Sequence, residues 1–472
     1  MNFILSGSYK LRLFIIGFII ALALALIFNT KVVIGGLVLG LLLILFKRKM
    51  IWCLFLFGYL IGWGRVMLLP TPTILATGKY QFSATICREP DVRLTEQKLV
   101  LCGQLGKVLA TTALYPPYHY GDQVFFSGVI KMPGEIDGFR YDRYLAKQDI
   151  YLVSYQPTIK KLVDNQFSFW SWLLAGKEYL KQLLAQGLRE PEAGLGQALI
   201  LGYQNTVDRQ YMDLFSIIGV SHIIAISGTH ITILAAIWQR VLSLFFRKPK
   251  FWLTAVWLSL YVFITGAAAA ALRSLVMGLL TLIIMERGTK LDGEWLLVLS
   301  AGVLLLINPL LLTADLGFQL SYLSMIALIY FYPWLLGYFS NWRLPKWGKT
   351  ILEILVLTLA CQLLTAPIGA VNFGRLSIIA PLANVVLLWV FPYLMSTLLA
   401  GLVLGVILPK LALLIFFPAY LGLTYLLRMT KLLAAIPGAA IGWPLTWGGV
   451  AIYYLLLFLV FYYFSRLQKN RA

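Results

Sequence analysis

Residues 215–233, FSIIGVSHIIAISGTHITI, open a long apolar run that nevertheless holds Ser221, His222, Ser227, Thr229 and His230. Two of the three histidines in the chain stand here. Polar groups carried into hydrocarbon cost several kcal/mol each unless partnered, so a membrane helix keeps them for packing or for a polar path. We read the stretch as the lining of such a path, with the other helices arranged around it.

The rest of the composition agrees with a polytopic membrane protein. Of 472 residues, 60% are hydrophobic and only 12% charged, more apolar surface than a soluble chain of this length can hide. The net charge of +20 falls largely in short clusters between apolar runs: Lys47-Arg48-Lys49, Arg247-Lys248-Pro249-Lys250, Arg343 with Lys346 and Lys349, and Arg466, Lys469 and Arg471. That is the positive-inside pattern, and it sets topology before it implies a ligand.

Taken in order, the chain divides into transmembrane helices over 1–72, an extracytoplasmic domain over 73–165, amphipathic and interfacial helices over 166–216, and a transmembrane domain over 217–472. Spans are expected at 11–28, 32–46 and 50–69, the last ended by Pro70-Thr71-Pro72. Further spans are expected near 219–245, 251–266, 267–285, 294–312, 316–339, 350–371, 377–406, 410–427 and 447–465, about 11 or 12 in all. Lys47–Lys49 on the cytoplasmic side places both termini in the cytoplasm and 73–165 outside the cytoplasmic membrane. Residues 167–188, rich in tryptophan and lysine, fit a helix lying in the interface.

The segment 73–165 reads as β-rich over 80–88, 98–102, 107–114, 123–131 and 150–155, with Gly103-Gln104-Leu105-Gly106 as a hairpin turn and a short helix over 139–148. Five strands and one helix in about 90 residues suit a small Greek-key barrel of the OB type. Cys87 and Cys102 fall on adjacent strands outside the cytosol, where a disulfide closing a short loop contributes on the order of 3 kcal/mol. Between Lys79 and Lys161 there are 11 Lys/Arg against 8 Asp/Glu, too small an excess to argue a nucleic-acid face from charge.

Polar side chains recur in the later spans. Arg273 lies between apolar runs; an unpaired guanidinium in a bilayer is too costly, so it needs an anion, either Asp315 or a substrate phosphate. Asp315, Gln319 and Tyr322 are spaced i, i+4 and i+7, for one face of a helix. Gln362, Thr365 and Pro367 interrupt the next span, which ends in Asn372-Phe373-Gly374-Arg375, and Pro381 and Asn384 begin the one after. The pattern suggests a hydrated cavity opening outward, lined by His222, Ser227, His230, Arg273, Asp315, Gln319, Gln362, Arg375 and Asn384. Interhelical hydrogen bonding is the alternative for any one of the neutral residues. An intramembrane serine protease would need a histidine facing Ser227 from another helix, and both nearby histidines share its segment. No catalytic residue, cofactor or metal site is expected: His222 and His230 are eight apart, with no third ligand in reach.

These residues together resemble the ComEC family of competence membrane proteins. The resemblance is carried by Ser221-His222-Ile223-Ile224-Ala225-Ile226-Ser227-Gly228-Thr229-His230 and by Leu316-Gly317-Phe318-Gln319-Leu320-Ser321-Tyr322. It continues through Gln362-Leu363-Leu364-Thr365-Ala366-Pro367 and Asn372-Phe373-Gly374-Arg375 to Pro381-Leu382-Ala383-Asn384. In the external segment it rests on Gly121-Asp122-Gln123-Val124 and on Gly138-Phe139-Arg140-Tyr141-Asp142-Arg143-Tyr144-Leu145-Ala146. The resemblance implies a channel that carries single-stranded DNA across the cytoplasmic membrane during natural transformation, beneath an OB-like external domain. It implies as partners a DNA receptor or pilus, a cytoplasmic helicase or motor, and membrane lipid. Many members continue into a metallo-β-lactamase-like domain; this chain ends at Ala472, so strand degradation is expected from a separate nuclease. The competing expectation is a non-transport envelope protein, an enzyme or partner-binding subunit, on the same scaffold.

Overall fold

Residues 2–27, 49–69, 77–93, 95–135, 140–163, 168–246, 251–267, 269–286, 292–339 and 342–469 are described in the computed structural model. The expected second span at 32–46, the Pro70–Pro72 stop and the basic run 247–250 lie outside them. Contacts divide the chain into two compact units, Met1–Tyr179 with Ser259–Phe318, and Leu180–Leu258 with Gln319–Ala472.

In the first unit the helices Asn2–Ile27 and Lys49–Met67 lie against each other. Gly17, Gly58 and Gly62 sit where any Cβ would run into a carbonyl of the facing helix, those of Phe55, Phe14 and Phe18 respectively. Between two apolar helices, small residues supply the close backbone approach on which packing depends. Arg12, on the first helix, pairs with Asp292 and, at 3.3 Å, with Glu294. Asp292 in turn caps the helix Gly293–Ile307 by accepting from the Glu294 and Trp295 amides.

The same unit contains a mixed sheet of β1 (Gly78–Ile86), β2 (Asp91–Val92), β3 (Glu96–Gly103), β4 (Gly106–Ala113), β5 (Gln123–Ile130), β6 (Ile150–Tyr155) and β7 (Thr158–Val163). Strand order is β6-β4-β3-β1-β5-β7, with β2 on β3. Only β4 and β6 are parallel; the other pairs are antiparallel. The Gly103–Gly106 hairpin turn is where the sequence places it, with Gly106 at φ 85°, a conformation glycine adopts without strain. Ile86, Leu99, Leu101, Val108, Val124 and Phe126 alternate inward to form the core. A closed barrel is not what the chain builds. The sheet stays open: just beyond β5, Lys131 meets Val153 of β6 in an isolated bridge, and the Ser154 hydroxyl of β6 donates to the Val129 carbonyl of β5 at 2.8 Å. Pro133 follows two residues after Lys131, and a residue without an N–H cannot extend the ladder. The expected Cys87–Cys102 disulfide is present, with Cα atoms 5.8 Å apart. The pairing of β1 with β3 brings the two cysteines together: Thr85 lies opposite Cys102, and the Cys87 amide donates to Val100.

Four helical stretches are long and apolar enough to cross a bilayer: Ser221–Phe245, Leu316–Gly337, Lys346–Phe373 and Trp447–Phe464. Shorter apolar helices are Leu11–Ile27, Cys53–Met67, Phe251–Ile264, Ala270–Ile284 and Gly293–Ile307. The expected spans at 377–406 and 410–427 are each broken. Ala380–Leu388 meets Phe391–Ile407 at 44°, and Pro409–Ile415 meets Phe417–Ala434 at 47°. Among the described residues, spanning length is thus reached four times, or six counting each bent pair, where the sequence suggests 11 or 12 spans. Pro392 and Pro418 stand in the first turn after each break, where a missing N–H is tolerated at a helix start but not within one.

Pro367 behaves differently, and corrects the expectation of an interrupted span. The helix Lys346–Phe373 runs through it. A proline leaves the carbonyl four residues earlier without its amide partner, here that of Leu363, and the Tyr453 hydroxyl donates to that oxygen at 3.0 Å. Tyr454 does the same for Leu364 at 2.6 Å. Replacing Tyr453 by Phe should therefore cost about 1 kcal/mol, read as a lower unfolding midpoint in detergent, with the exposed Tyr463→Phe on the same C-terminal helix as the neutral control. An unchanged midpoint would mean that the Leu363 carbonyl finds another donor.

Candidate functional site

The two groups of path residues lie in different units. In the first unit, Arg273 is on the helix Ala269–Glu286 and only 4% exposed, and Asp315 is 3% exposed. Their closest atoms, Arg273 Nη1 and Asp315 Oδ1, are 4.0 Å apart. Asp315 does not share a helical face with Gln319 and Tyr322, as its spacing suggested. It has extended backbone just before the helix Leu316–Ile326, and its Oδ1 accepts from the Phe318 amide at 2.6 Å. It therefore acts as an N-cap, a role in which a carboxylate also meets the positive end of the helix.

The shortest ionic contact to Asp315 comes from Lys147, whose Nζ is 2.7 Å from Oδ2. Lys147 follows the short helix Tyr141–Ala146 of the sheet domain. Its Nζ lies 4.3 Å from the centre of the Tyr144 ring, and its carbonyl accepts from Asn308 Nδ2 at 2.8 Å. A second pair, buried Lys177 with half-buried Glu89 at 2.7 Å, joins the helix Phe169–Gly187 to the loop after β1. Sequence reasoning missed both lysines. The one available signal was that each is a lone cation beside aromatic residues, and this does not identify a partner 168 residues away.

The sheet domain also carries a groove of about 690 Å³, between β3, β4 and β6 and the helix Tyr141–Ala146. Arg88, Arg93 and Lys98 bring cations to it, Glu89 and Asp91 bring carboxylates, with Asp91 paired to Arg93 at 3.1 Å, and Tyr141, Tyr144 and Tyr155 bring rings. Tyr141 and Tyr144 stack with centroids 6.0 Å apart, and Tyr155 is 56% exposed. Burial pushes the Tyr141 phenol up from its ordinary range, with Tyr155 and Tyr144 adding to the effect, so it remains a neutral donor at physiological pH.

In the second unit the opening stretch is not one continuous helix. A single 3-10 turn, Ser221–Ile223, precedes the helix Gly228–Phe245, with Ser227 at its N-cap. The third residue of that helix, His230, is fully buried, and its Nδ1 accepts from the Ser227 amide at 3.1 Å and lies 3.0 Å from Ser227 Oγ. A serine and a histidine on one segment meet. They meet because the helix begins between them, and the arrangement is a capping box with histidine in the place of glutamate. Acceptance at Nδ1 from a backbone amide assigns the proton to Nε2, which is buried without a hydrogen-bond partner among the described residues. The ring stands edge-on to Phe391, centroids 4.9 Å apart, beside the break at Pro392. His222 is exposed.

The other signature residues gather around β8 (Arg375–Ser377), which pairs with β9 (Ala440–Gly442). Gln362 donates to the Ser377 carbonyl at 3.0 Å, and Asn384, 7% exposed, donates to Thr358 Oγ1 at 3.0 Å. Arg375 is exposed. Gly219, at φ 73°, lies against Ser377 and Ala380, and a Cβ there would come within 2.8 Å of both. Two separated motifs are thereby held in contact by one glycine with no room for a side chain. Gln319 lies one turn beyond the Asp315 cap, half-buried.

A family profile described as Competence protein matches residues 199–467, more than half of the chain. ComE operon protein 3 of Bacillus subtilis (strain 168) is 28% identical over 283 residues, covering 60% of this chain and 34% of that protein. An uncharacterized protein, YcaI, of Escherichia coli (strain K12) is 25% identical over 206 residues, covering 40% of this chain and 26% of its own length. The chain spans about a third or less of the length of these relatives. No solved structure matches it.

Proposed function

Since the chain belongs to the ComEC family of competence proteins, we propose that it conducts single-stranded DNA across the cytoplasmic membrane during natural transformation. The observation that carries the reading is Arg273, a buried guanidinium in an apolar helix whose carboxylate stands off at 4.0 Å. A DNA strand brings one phosphate charge per nucleotide, and its passage through lipid needs a hydrated path with cations that can exchange partners. His222, Ser227, His230, Gln319, Gln362, Arg375 and Asn384 are the neutral and basic groups we assign to that path. The basic clusters between apolar runs support a topology with both termini in the cytoplasm and the sheet domain outside.

The sheet domain is read as OB-like. Pairing of β1 with both β3 and β5, and the parallel β4–β6 pair, support this reading. Its groove suits a single strand, with bases on Tyr144 and Tyr155 and phosphates at Arg88, Arg93 and Lys98. Stacking of a base on an aromatic ring is worth about 1–3 kcal/mol, so Tyr155→Ala should weaken binding of a short oligothymidylate by roughly tenfold, measured by fluorescence polarisation. Unaltered affinity would remove Tyr155 from the site.

The deciding experiment is uptake of labelled DNA into the cytoplasm of the native host, with the wild type, a deletion and Arg273→Ala. We expect uptake to fall to background in the deletion and by at least about tenfold in Arg273→Ala, the equivalent of one lost charge-assisted contact, at normal membrane levels. Undiminished uptake in the deletion would sink the transport reading and favour a non-transport envelope protein on the same scaffold.

A further inference from the structure

Lys147 links two places that the sequence separates. Its neighbours Tyr144, Leu145 and Gln148 line the groove of the sheet domain. Its own side chain, 15% exposed, leaves the groove and reaches Asp315. Asp315 is thus addressed by two cations from different elements: Lys147 at 2.7 Å on Oδ2, and Arg273 at 4.0 Å on the side of Oδ1, where the Phe318 amide already donates. Lys147 has the closer contact, and Arg273 is held off.

The conformation of the segment that carries Lys147 is set by its tertiary contacts. The helix Tyr141–Ala146 has six residues, too few to be stable without its contacts. Two residues beyond its C-cap Lys147 comes Asp149, a non-glycine residue at φ 59°, a conformation that persists only while its surroundings impose it. Those surroundings are Lys107, whose ammonium lies 3.0 Å from Asp149 Oδ2 and donates to the Gln148 carbonyl at 3.3 Å, the Arg88 contact to Gln148 on the groove side, and the Asn308 contact to the Lys147 carbonyl on the helix side.

We propose that Lys147 is a latch between the groove and Arg273: it competes with the arginine for Asp315, and a ligand that fills the groove withdraws it and hands the carboxylate to Arg273. Only the identity of the opening ligand, a single-stranded oligonucleotide, rests on the proposed function. The competition itself stands on the three side chains. A latch of this kind would make the state of the intramembrane cation depend on whether a strand is seated outside.

The test is the reactivity of the Lys147 amine toward an acylating reagent, read by mass spectrometry on the full chain in lipid nanodiscs, with exposed Lys160 as reference. Asp315→Asn should raise the Lys147 rate about tenfold, the change expected when one strong ion pair is lost. Arg273→Gln, which removes the competitor, should lower it. If Asp315→Asn leaves the rate unchanged, or Arg273→Gln raises it, there is no competition and the latch is overturned. Short oligothymidylate is then added to the wild type, with binding followed by polarisation. Binding with faster Lys147 acylation supports the latch, and binding with no change overturns the proposed coupling. Absence of binding removes the oligonucleotide reading of the groove and leaves the competition to be judged by the two variants.

Discussion

Asp315→Ala should be among the most damaging single substitutions in this chain, lowering stability by about 3–5 kcal/mol, the usual cost of removing one partner from a buried ion pair. Two effects combine. The change strands Arg273 and Lys147, whose side chains are 5% and 15% exposed, beside no carboxylate at that position. It also removes the acceptor for the Phe318 amide at 2.6 Å, a cap worth about 1 kcal/mol by itself. Asp315→Asn keeps an oxygen for the cap and loses only the charge, so it should fall between wild type and alanine. Combining Asp315→Ala with Arg273→Leu should recover part of the loss, because one of the two stranded charges goes with it. Thermal unfolding in a single detergent orders all four proteins. Wild-type melting of Asp315→Ala would show that the cluster is solvated and carries none of the stability argued for it.

The second large effect concerns the sheet domain. Replacing Cys87 and Cys102 by serine should destabilise that domain by about 3 kcal/mol, the loop-closure value for the sequence separation of 15 between them. The loss should be local. The loop just beyond Cys87 carries Arg88, which donates to Gln148, and Glu89, which pairs with Lys177. Faster hydrogen exchange is therefore expected over 86–102 and in the segment 141–148, with little change in the helix Lys346–Phe373. Reduction of the wild type should reproduce the pattern. Exchange rates that are the same in the oxidised and doubly substituted proteins would place the stability of this domain in its core, around Phe126, Leu99 and Leu101, and not in the crosslink.

Part of the candidate site was legible before any coordinates. Arg273 demanded an anion, and Asp315 was one of two named; the contact is there, though longer than an ordinary ion pair. The motif around Ser227 was legible as polar and unusual, but not as a helix start. Hydrophobic periodicity reports faces and lengths and is blind to a break whose cause is a serine–histidine cap and a glycine at φ 73° packed on Ser377. The groove was hidden because its cations and tyrosines come from the loop after β1, from β2, β3 and β6, and from the short helix, and the net charge of the segment is nearly balanced.

What the sequence alone determined is what depends on neighbours along the chain. Its apolar runs and basic clusters specify a membrane protein, its alternating segments with the Gly103–Gly106 turn specify the strands, and strand adjacency specifies the Cys87–Cys102 bond. What only the tertiary structure decided is how buried polar groups are satisfied. The Leu363 carbonyl that Pro367 frees is satisfied by the Tyr453 hydroxyl from 90 residues away. Which cation holds Asp315 depended on a lysine of the sheet domain. Burial makes the partner obligatory, but nothing local says which of the distant residues will provide it.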